Sequence, residues 1–587
     1  MVFSANPKSW FIENVNDLDK WSPKQDPYNR AELTPLQIRA SLPDAPRLMN
    51  WHDMTQGFIP GGDQAPQGTH GTDFYNFSYW QYVDILAYMF HGFLACPPPS
   101  WINAGHKNGV KVLGNITTRE ETPADSIVIP TMLEQSDHYI KQLGDMANYY
   151  GFDGWAWNLE HALPGAASAT QLIAFLRKFK QQYPNLCTIW YDSIIVTDGS
   201  VKYQNALNDK NKPFFDVCDG IFLNYWWDLA KLQSSAGVAG ARKRDVYVGI
   251  QMDQEQIDQL YDKRLVPISK AELSVGLYGP AALTYQVATD AEPSDLLERK
   301  LWVGNPPYNV NQPANSISKA ISIRPCSTQL PVISVFDTGK GRGLYIDGVQ
   351  AEKCFNKPAE LRWGNMSAQS LIPDMRLPVS WPNNQNPPLF KADFTFDWAW
   401  DGGSSLRVWN DVPGSGGNNF SVIDLFPANT PFSTATDSVV VSCKLDGSKR
   451  APKIEAVLYG GGNSNITALI TPTNDGKPQV LKFSGSSNMT VRKIQIRCEA
   501  TYVSSVLLGM ISIIKGPAQF TGSSVKNIDW TNQSSAVTST GNLLTSFDLV
   551  WDAGSVGDRH YNVYYSNVKP SGNFDSCWLL GLSLIHI

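Results

Sequence analysis

Phe152-Asp153-Gly154-Trp155-Ala156-Trp157-Asn158-Leu159-Glu160 is the stretch whose reading decides the fold. It is short and largely apolar, and a segment of helical character follows at Thr170–Tyr183. That sequence of patterns predicts a strand leading into a helix. Side chains on a strand alternate faces, so Trp155 and Trp157 share one side, while Asn158 and Glu160 share the other. The two tryptophans are expected to pack against helices and the polar pair to face a pocket.

Seven further runs of the same kind surround this one. They are Arg47–Met54, Ile85–His91, Lys111–Thr117, Cys187–Ser193, Gly220–Trp227, Asp245–Met252 and Ala282–Val287. The connections can hold helices, with Thr131–Tyr150 a second good example. Eight strands, each followed by a helix, predict a (β/α)8 TIM barrel over residues 45–315. An open doubly wound sheet is the rival, but it usually carries a Gly-rich nucleotide loop after its first strand. Here Gln56–Gly71 is rich in glycine without a GxGxxG pattern.

On either side of the barrel the texture changes. Residues 1–44 are polar and broken by Pro23, Pro27 and Pro35, which predicts an extension ahead of the core. Beyond about residue 315, Gly, Ser, Asn and Thr rise and short β-type runs appear at Ser438–Leu445, Lys453–Leu458, Ile466–Ile470 and Val491–Cys498. They predict a β-sandwich domain over 316–515, like a carbohydrate-binding module. The stretch 516–587 reads as a partial β-rich domain. Its nearly all-apolar end, Leu579 to Ile587, is expected to reflect truncation.

Bulk chemistry narrows the function. The net charge of −6, without a basic block, argues against nucleic acid and anionic membranes as partners. No apolar run reaches the ~18 residues of a membrane span. The N-terminus MVFSANPKSWFIENVNDL lacks the basic start and apolar stretch of a secretory signal. The 8 cysteines are scattered, with no CxxC pair and no zinc spacing, so reduced and mostly buried thiols are expected. The Asn-x-Thr triplet at Asn115 falls inside a predicted barrel strand, where no glycan could sit. These features predict a cytoplasmic protein with no metal and no cofactor. His52 and His91, near strand ends, read as core groups. Trp157, Trp190 and Phe222 are expected to point away from the pocket into the core.

Active-site groups in TIM barrels cluster at the C-terminal ends of the strands, which places Asn158 and Glu160 at a pocket mouth. Most glycosidases need two carboxylates, but some use the substrate's own 2-acetamido oxygen as nucleophile. Such an enzyme needs one acid for the leaving oxygen and a polar group to hold the acetamide while an oxazoline-type ring forms. An Asn amide can do the second task without adding negative charge. Partial burial would raise the pKa of Glu160 and keep it protonated. From the spacing alone, a polar pair with a structural role stands equally well.

Six segments lift the reading above that balance. They are CPPPSWINAGHKNGVKVLG (Cys96–Gly114), FDGWAWNLE (Phe152–Glu160), WYDS (Trp190–Ser193), YQNALNDKNKPFF (Tyr203–Phe215), DGIFLNYWW (Asp219–Trp227) and DVYVGI (Asp245–Ile250). In this order they resemble glycoside hydrolase family 85, the endo-β-N-acetylglucosaminidases. RGLYIDG near Gly343 and WGNMSAQSLIP near Trp363 resemble the start of that family's second domain.

The resemblance implies a retaining hydrolase that cuts the β-1,4 bond of the chitobiose core of N-linked glycans or free oligosaccharides, with transfer to another sugar also open to it. It implies Glu160 as the general acid/base, Asn158 as the residue that orients the acetamide, and Tyr191 as a support for the oxazoline. It further implies Trp226 and Tyr225 as the acceptor-side aromatic wall and Tyr203 as a gate to the reducing-end subsite. Tyr285, in the expected eighth-strand loop, is a further substrate-binding candidate. The chain departs from the family pattern after the third strand (Thr118-Arg119-Glu120), after the seventh (Gln251-Met252-Asp253) and after the eighth (Tyr285-Gln286-Val287-Ala288). These departures touch glycan selectivity more than reaction type. A chitinase-like barrel would carry Asp where Asn158 stands, and a glycan-binding protein without turnover is the remaining rival.

Overall fold

The computed structural model describes residues 11–23, 30–31, 36–37, 39, 42, 44–55, 69–70, 75–286, 288–289, 294–304, 315–324, 329–353, 363–380, 388–415, 419–484 and 488–518, and beyond them the strands 526–537, 543–552, 559–565 and 578–585. Eight parallel strands form the N-terminal unit: β1 Leu48–Asp53, β2 Ile85–Met89, β3 Lys111–Arg119, β4 Gly154–Glu160, β5 Cys187–Tyr191, β6 Gly220–Leu223, β7 Val246–Gln251 and β8 Ser274–Tyr278. Each pairs with the next in chain order, and β8 returns to β1 with Val275 opposite Leu48, closing a (β/α)8 barrel. The expected helix over 131–150 is two, Val128–Glu134 and Ser136–Tyr150, while the one after β4 runs from Ala166 to Gln182.

The eighth strand is not where the hydrophobic pattern placed it. Ala282–Val287 was expected as that strand, but Pro280–Gln286 is a helix; Val287 itself lies outside the described residues. Proline is well suited to open a helix, and the Ala-Ala-Leu that follows favours one. The true strand, Ser-Val-Gly-Leu-Tyr, has the small residues Ser274 and Gly276 at two of its three inward positions and so lacks an obvious apolar signature.

Those small residues have a steric cause inside the barrel. Phe222 is fully buried there, edge-on to Trp51 at 5.2 Å between ring centroids. A Cβ on Gly276 would come within 2.4 Å of the Phe222 ring, and one on Gly249 within 2.8 Å of it. Phe222 was expected to face away from the pocket; it fills the barrel axis instead, because β6 turns that residue inward beside two glycines. Trp157 and Trp190 do go to the outer layer, where Trp190 stacks on Phe214 with centroids 4.1 Å apart. Among the described cysteines, Cys187, Cys218, Cys443 and Cys498 keep free thiols, and these four and Cys96 are buried.

The N-terminal stretch contributes to the barrel. Phe11–Ile12 pairs antiparallel with Leu94–Ala95, which pairs with β3, and Val15, Leu18 and Trp21 are buried against the barrel's helices. Two larger antiparallel sheets follow the barrel among the described residues. One runs in the order Val379–Ser380, Phe420–Ser433, Asn488–Glu499, Lys453–Gly461, Ser464–Ile470. The other is centred on Ser504–Lys515, between Ser405–Asn410 and Asp437–Leu445. Ile423, Leu425, Val441, Ile454, Ile496 and Leu508 share one buried core from both sheets. The strands from 526 to 585 form two antiparallel pairs.

A polar seam joins barrel and sheets. Trp80 Nε1 donates to Gln369 Oε1 (2.8 Å), and Gln369 Nε2 donates in turn to Asn76 Oδ1 (2.8 Å). Tyr82 donates to Asp374 (3.0 Å), and Lys107 caps the carbonyls of Ser367 and Gln369 at 2.9 and 3.0 Å. Buried groups satisfied this fully hold two units in one orientation.

Candidate active site

The alternation of β4 sets the site. Trp155 and Trp157 are fully buried on the outer face, and Trp155 Nε1 donates to Leu143 O on the covering helix (3.2 Å). Ala156, Asn158 and Glu160 therefore face the barrel axis. Gly154 starts the strand with φ 137, and a Cβ there would lie 2.0 Å from Cys187 O. Only glycine lets β4 approach β5 this closely.

At the C-terminal mouth is a cavity of about 380 Å³, lined by Asn158 and Glu160 from β4, Tyr191 from β5, Tyr225 after β6, Tyr278 from β8, Trp51 and Asp53 from β1, and Arg119 and Glu121 at the end of β3. Asn158 Nδ2 donates to Glu160 Oε2 at 3.3 Å, and the Tyr203 hydroxyl donates to Glu160 Oε1 at 2.6 Å. Burial raises the pKa of Glu160 above the ordinary carboxylate range, and the donors Tyr203 and Asn158 pull it partly back. A carboxyl held this way carries its proton further toward neutral pH than a surface glutamate does.

Burial likewise raises the phenol pKa values of Tyr191, Tyr225 and Tyr278, so all three present O–H groups. Tyr191 donates to Asn224 Oδ1 at 2.7 Å, and Tyr278 to Asp53 Oδ2 at 2.9 Å. The other Asp53 oxygen accepts from the backbone and hydroxyl of Thr55 at 2.9 and 2.7 Å. Trp51 Nε1 donates to Asn115 Oδ1 (3.1 Å), inside the barrel where Asn115 is shielded from any glycan.

The residues expected from sequence fall into three groups. Glu160, Asn158, Tyr191 and Tyr225 line the cavity, and Tyr203 reaches Glu160 from a loop. Trp226 stands at the rim with 71% of its surface exposed. Tyr285 is apart from them. It sits on the helix after β8, edge-on to Tyr75 at 5.9 Å, because that segment is helix and not strand. Tyr278, at the end of the true eighth strand, occupies the place foreseen for it.

Asp53, Arg119, Asn224 and Tyr278 were not foreseen. Asp53, Arg119 and Tyr278 fall at inward positions of their strands, so counting alternation back from correct strand ends finds them. His52 is a core group, stacked near Tyr75 and Trp101, and burial drives its pKa to about 3. His91 is instead exposed beside Phe90. Among the described residues, no three His, Cys, Asp or Glu side chains gather as a metal site.

An acid and an amide lie side by side in an aromatic-walled cavity at the C-terminal mouth of the (β/α)8 barrel, where barrel enzymes carry their active sites. Residues 60–344 match the model of glycosyl hydrolase family 85. The chain is 32% identical over 424 residues to the cytosolic endo-beta-N-acetylglucosaminidase of Gallus gallus, covering 70% of this chain and 53% of that protein. It is 31% identical over 388 residues to cytosolic endo-beta-N-acetylglucosaminidase 1 of Arabidopsis thaliana, covering 63% and 52%. The chain thus spans about half the length of the curated relatives it matches. The glycoside hydrolase domain of Endo-D from Streptococcus pneumoniae R6 has the same fold, with a TM-score of 0.75 over 99% of this chain and 92% of that one at 20% identity. No helix among the described residues is long and apolar enough to cross a membrane.

Proposed function

We propose that this chain is an endo-β-N-acetylglucosaminidase acting on N-linked glycans, by a substrate-assisted, retaining route through an oxazoline. The observation that carries the reading is the adjacency of Asn158 and Glu160 on the inner face of β4, at 3.3 Å from each other. Glu160, whose pKa burial raises, gives its proton to the oxygen leaving between the two core N-acetylglucosamines. Asn158 holds the substrate's acetamide so that its oxygen closes on the anomeric carbon. Tyr191 supports the ring from β5, and Trp226 and Tyr225 flank the acceptor side. Glu160, now a carboxylate, then takes a proton from water or from a sugar hydroxyl. The names of the relatives also support a cytosolic location.

Incubating the protein with a labelled N-glycan and reading the product masses tests the reading. Cleavage within the chitobiose core leaves each product with one N-acetylglucosamine. Binding without any mass shift sinks the hydrolase and leaves a glycan-binding protein.

The pH dependence carries a second test. The productive form of Glu160 is protonated, so kcat/KM falls as pH rises through its pKa. The Tyr203 hydroxyl stabilises the carboxylate and thus lowers that pKa. Tyr203→Phe removes the donor, so the alkaline limb of the kcat/KM profile moves to higher pH. A limb that stays in place or moves down means that Tyr203 does not tune the acid.

A further inference from the structure

Two loops build the outer wall of the cavity, and one side chain ties them together. Asn205 lies in the loop after β5, in the left-handed region at φ 55. Its Oδ1 accepts from Asn224 Nδ2 and from the backbone N–H of Trp226, both at 2.9 Å, in the loop after β6. Its Nδ2 donates to Tyr203 O at 3.1 Å. Its own backbone N–H donates to Asp192 Oδ2 at 2.7 Å.

Asp192 is a rigid anchor. It is 1% exposed, and besides Asn205 it accepts from Asn211 Nδ2 (2.8 Å) and the backbone N–H groups of Gln204 (3.2 Å) and Asn224 (3.4 Å). From Asn205, contacts lead to three of the cavity's aromatics: through Asn224 to the Tyr191 hydroxyl, directly to the Trp226 backbone, and directly to the backbone of Tyr203, whose hydroxyl meets Glu160. Trp226 is 71% and Tyr203 41% exposed. Side chains this open have little packing to place them, so their position follows from how the backbone beneath is held.

We infer that Asn205 is a positioning residue for the acceptor side of the cavity, fixing Trp226 and Tyr203 against the donor-side Tyr191 so that a sugar hydroxyl competes with water. The inference rests on the oxazoline reading above. In transfer, the acceptor hydroxyl oxygen bonds to the anomeric carbon of the N-protonated oxazoline and the ring C–O bond breaks. Its electron pair returns to the acetamide, and the hydroxyl proton passes to the Glu160 carboxylate. Hydrolysis is the same step with water, which has no ring to stack on an aromatic wall. Displacing that wall therefore harms transfer more than hydrolysis.

Asn205→Gly tests this, because glycine keeps the left-handed backbone and removes only the side-chain bonds. The assay supplies a preformed N-glycan-core oxazoline and p-nitrophenyl N-acetylglucosaminide as acceptor, and reads transfer and hydrolysis together. The expected result is a fall of about ten-fold in the transfer-to-hydrolysis ratio, as loss of one or two net hydrogen bonds gives, with a raised acceptor KM, hydrolysis largely retained and a Tm lowered only slightly. Asn205→Asp keeps the oxygen that accepts from Asn224 and Trp226, and it recovers most of the ratio. An unchanged ratio in Asn205→Gly overturns the inference. So does an equal fall of both reactions together with Tm, or an Asp variant no better than Gly. A wild-type protein inert toward both N-glycan and oxazoline overturns the reading of the whole site, a result distinct from wild-type turnover with an insensitive ratio.

Discussion

Glu160→Gln lowers hydrolysis of an unactivated N-glycan by about 10²–10⁴-fold, the range that a positioned general acid contributes. The amide keeps the size of the carboxyl, and its oxygen still accepts the Tyr203 hydroxyl that now lies 2.6 Å from Oε1. The amide nitrogen then takes the Oε2 position, and the Asn158 amide turns its oxygen inward to accept from it. Packing and Tm are therefore expected to stay near wild type, and glycan binding is retained. What is lost is a proton that can be given to the leaving oxygen, together with the carboxylate that later accepts one. Initial rates of chitobiose-core cleavage, compared with glycan binding on the same preparation, separate this from a folding defect. Turnover near the wild-type rate would falsify the role of Glu160 as the acid.

The parts of this site that were legible in sequence are those governed by local periodicity. β4 could be read because bulky tryptophans and polar groups alternate across its faces, and period 2 then places Asn158 and Glu160 together. β8 could not be read because its inward position at Gly276 is emptied to admit Phe222 from β6, a residue far away in the chain. The missing side chain is a consequence of tertiary packing, so no window around it carries the signal. The misplacement of Tyr285 followed from this, as did the absence of Tyr278 from the expected site. The contact of Tyr203 with Glu160 spans 43 residues and a loop, and the carboxylate hub at Asp192 gathers donors from two loops. For Tyr203, the resemblance to a family supplied what periodicity could not. For Asp192 and Asn205 only the folded arrangement does.

Asn158→Ala separates two half-reactions that a structural asparagine would lose together. If the substrate's acetamide is the nucleophile, Asn158 acts while the ring closes, holding the acetamide oxygen on the anomeric carbon and stabilising the charge that develops. Preorganised groups of this kind are worth about 10²–10³-fold each. Hydrolysis of intact N-glycan is expected to fall by that factor. A preformed oxazoline has already passed ring closure, so the variant still transfers it to an N-acetylglucosamine acceptor with Glu160 as base. Product accumulates because the variant cannot readily cleave it again. Removing Asn158 also takes one hydrogen-bond donor from Glu160, which raises the pKa of that carboxyl and leaves the acid function intact at neutral pH. Asn158→Gln is expected to behave in the same way, since its longer side chain moves the amide off the acetamide without adding charge. A purely structural Asn158 predicts another pattern, in which both activities decline in step with Tm. Hydrolysis, oxazoline transfer and Tm measured on one preparation decide between the two, and equal loss of both activities in a well-folded variant would sink the substrate-assisted role of Asn158.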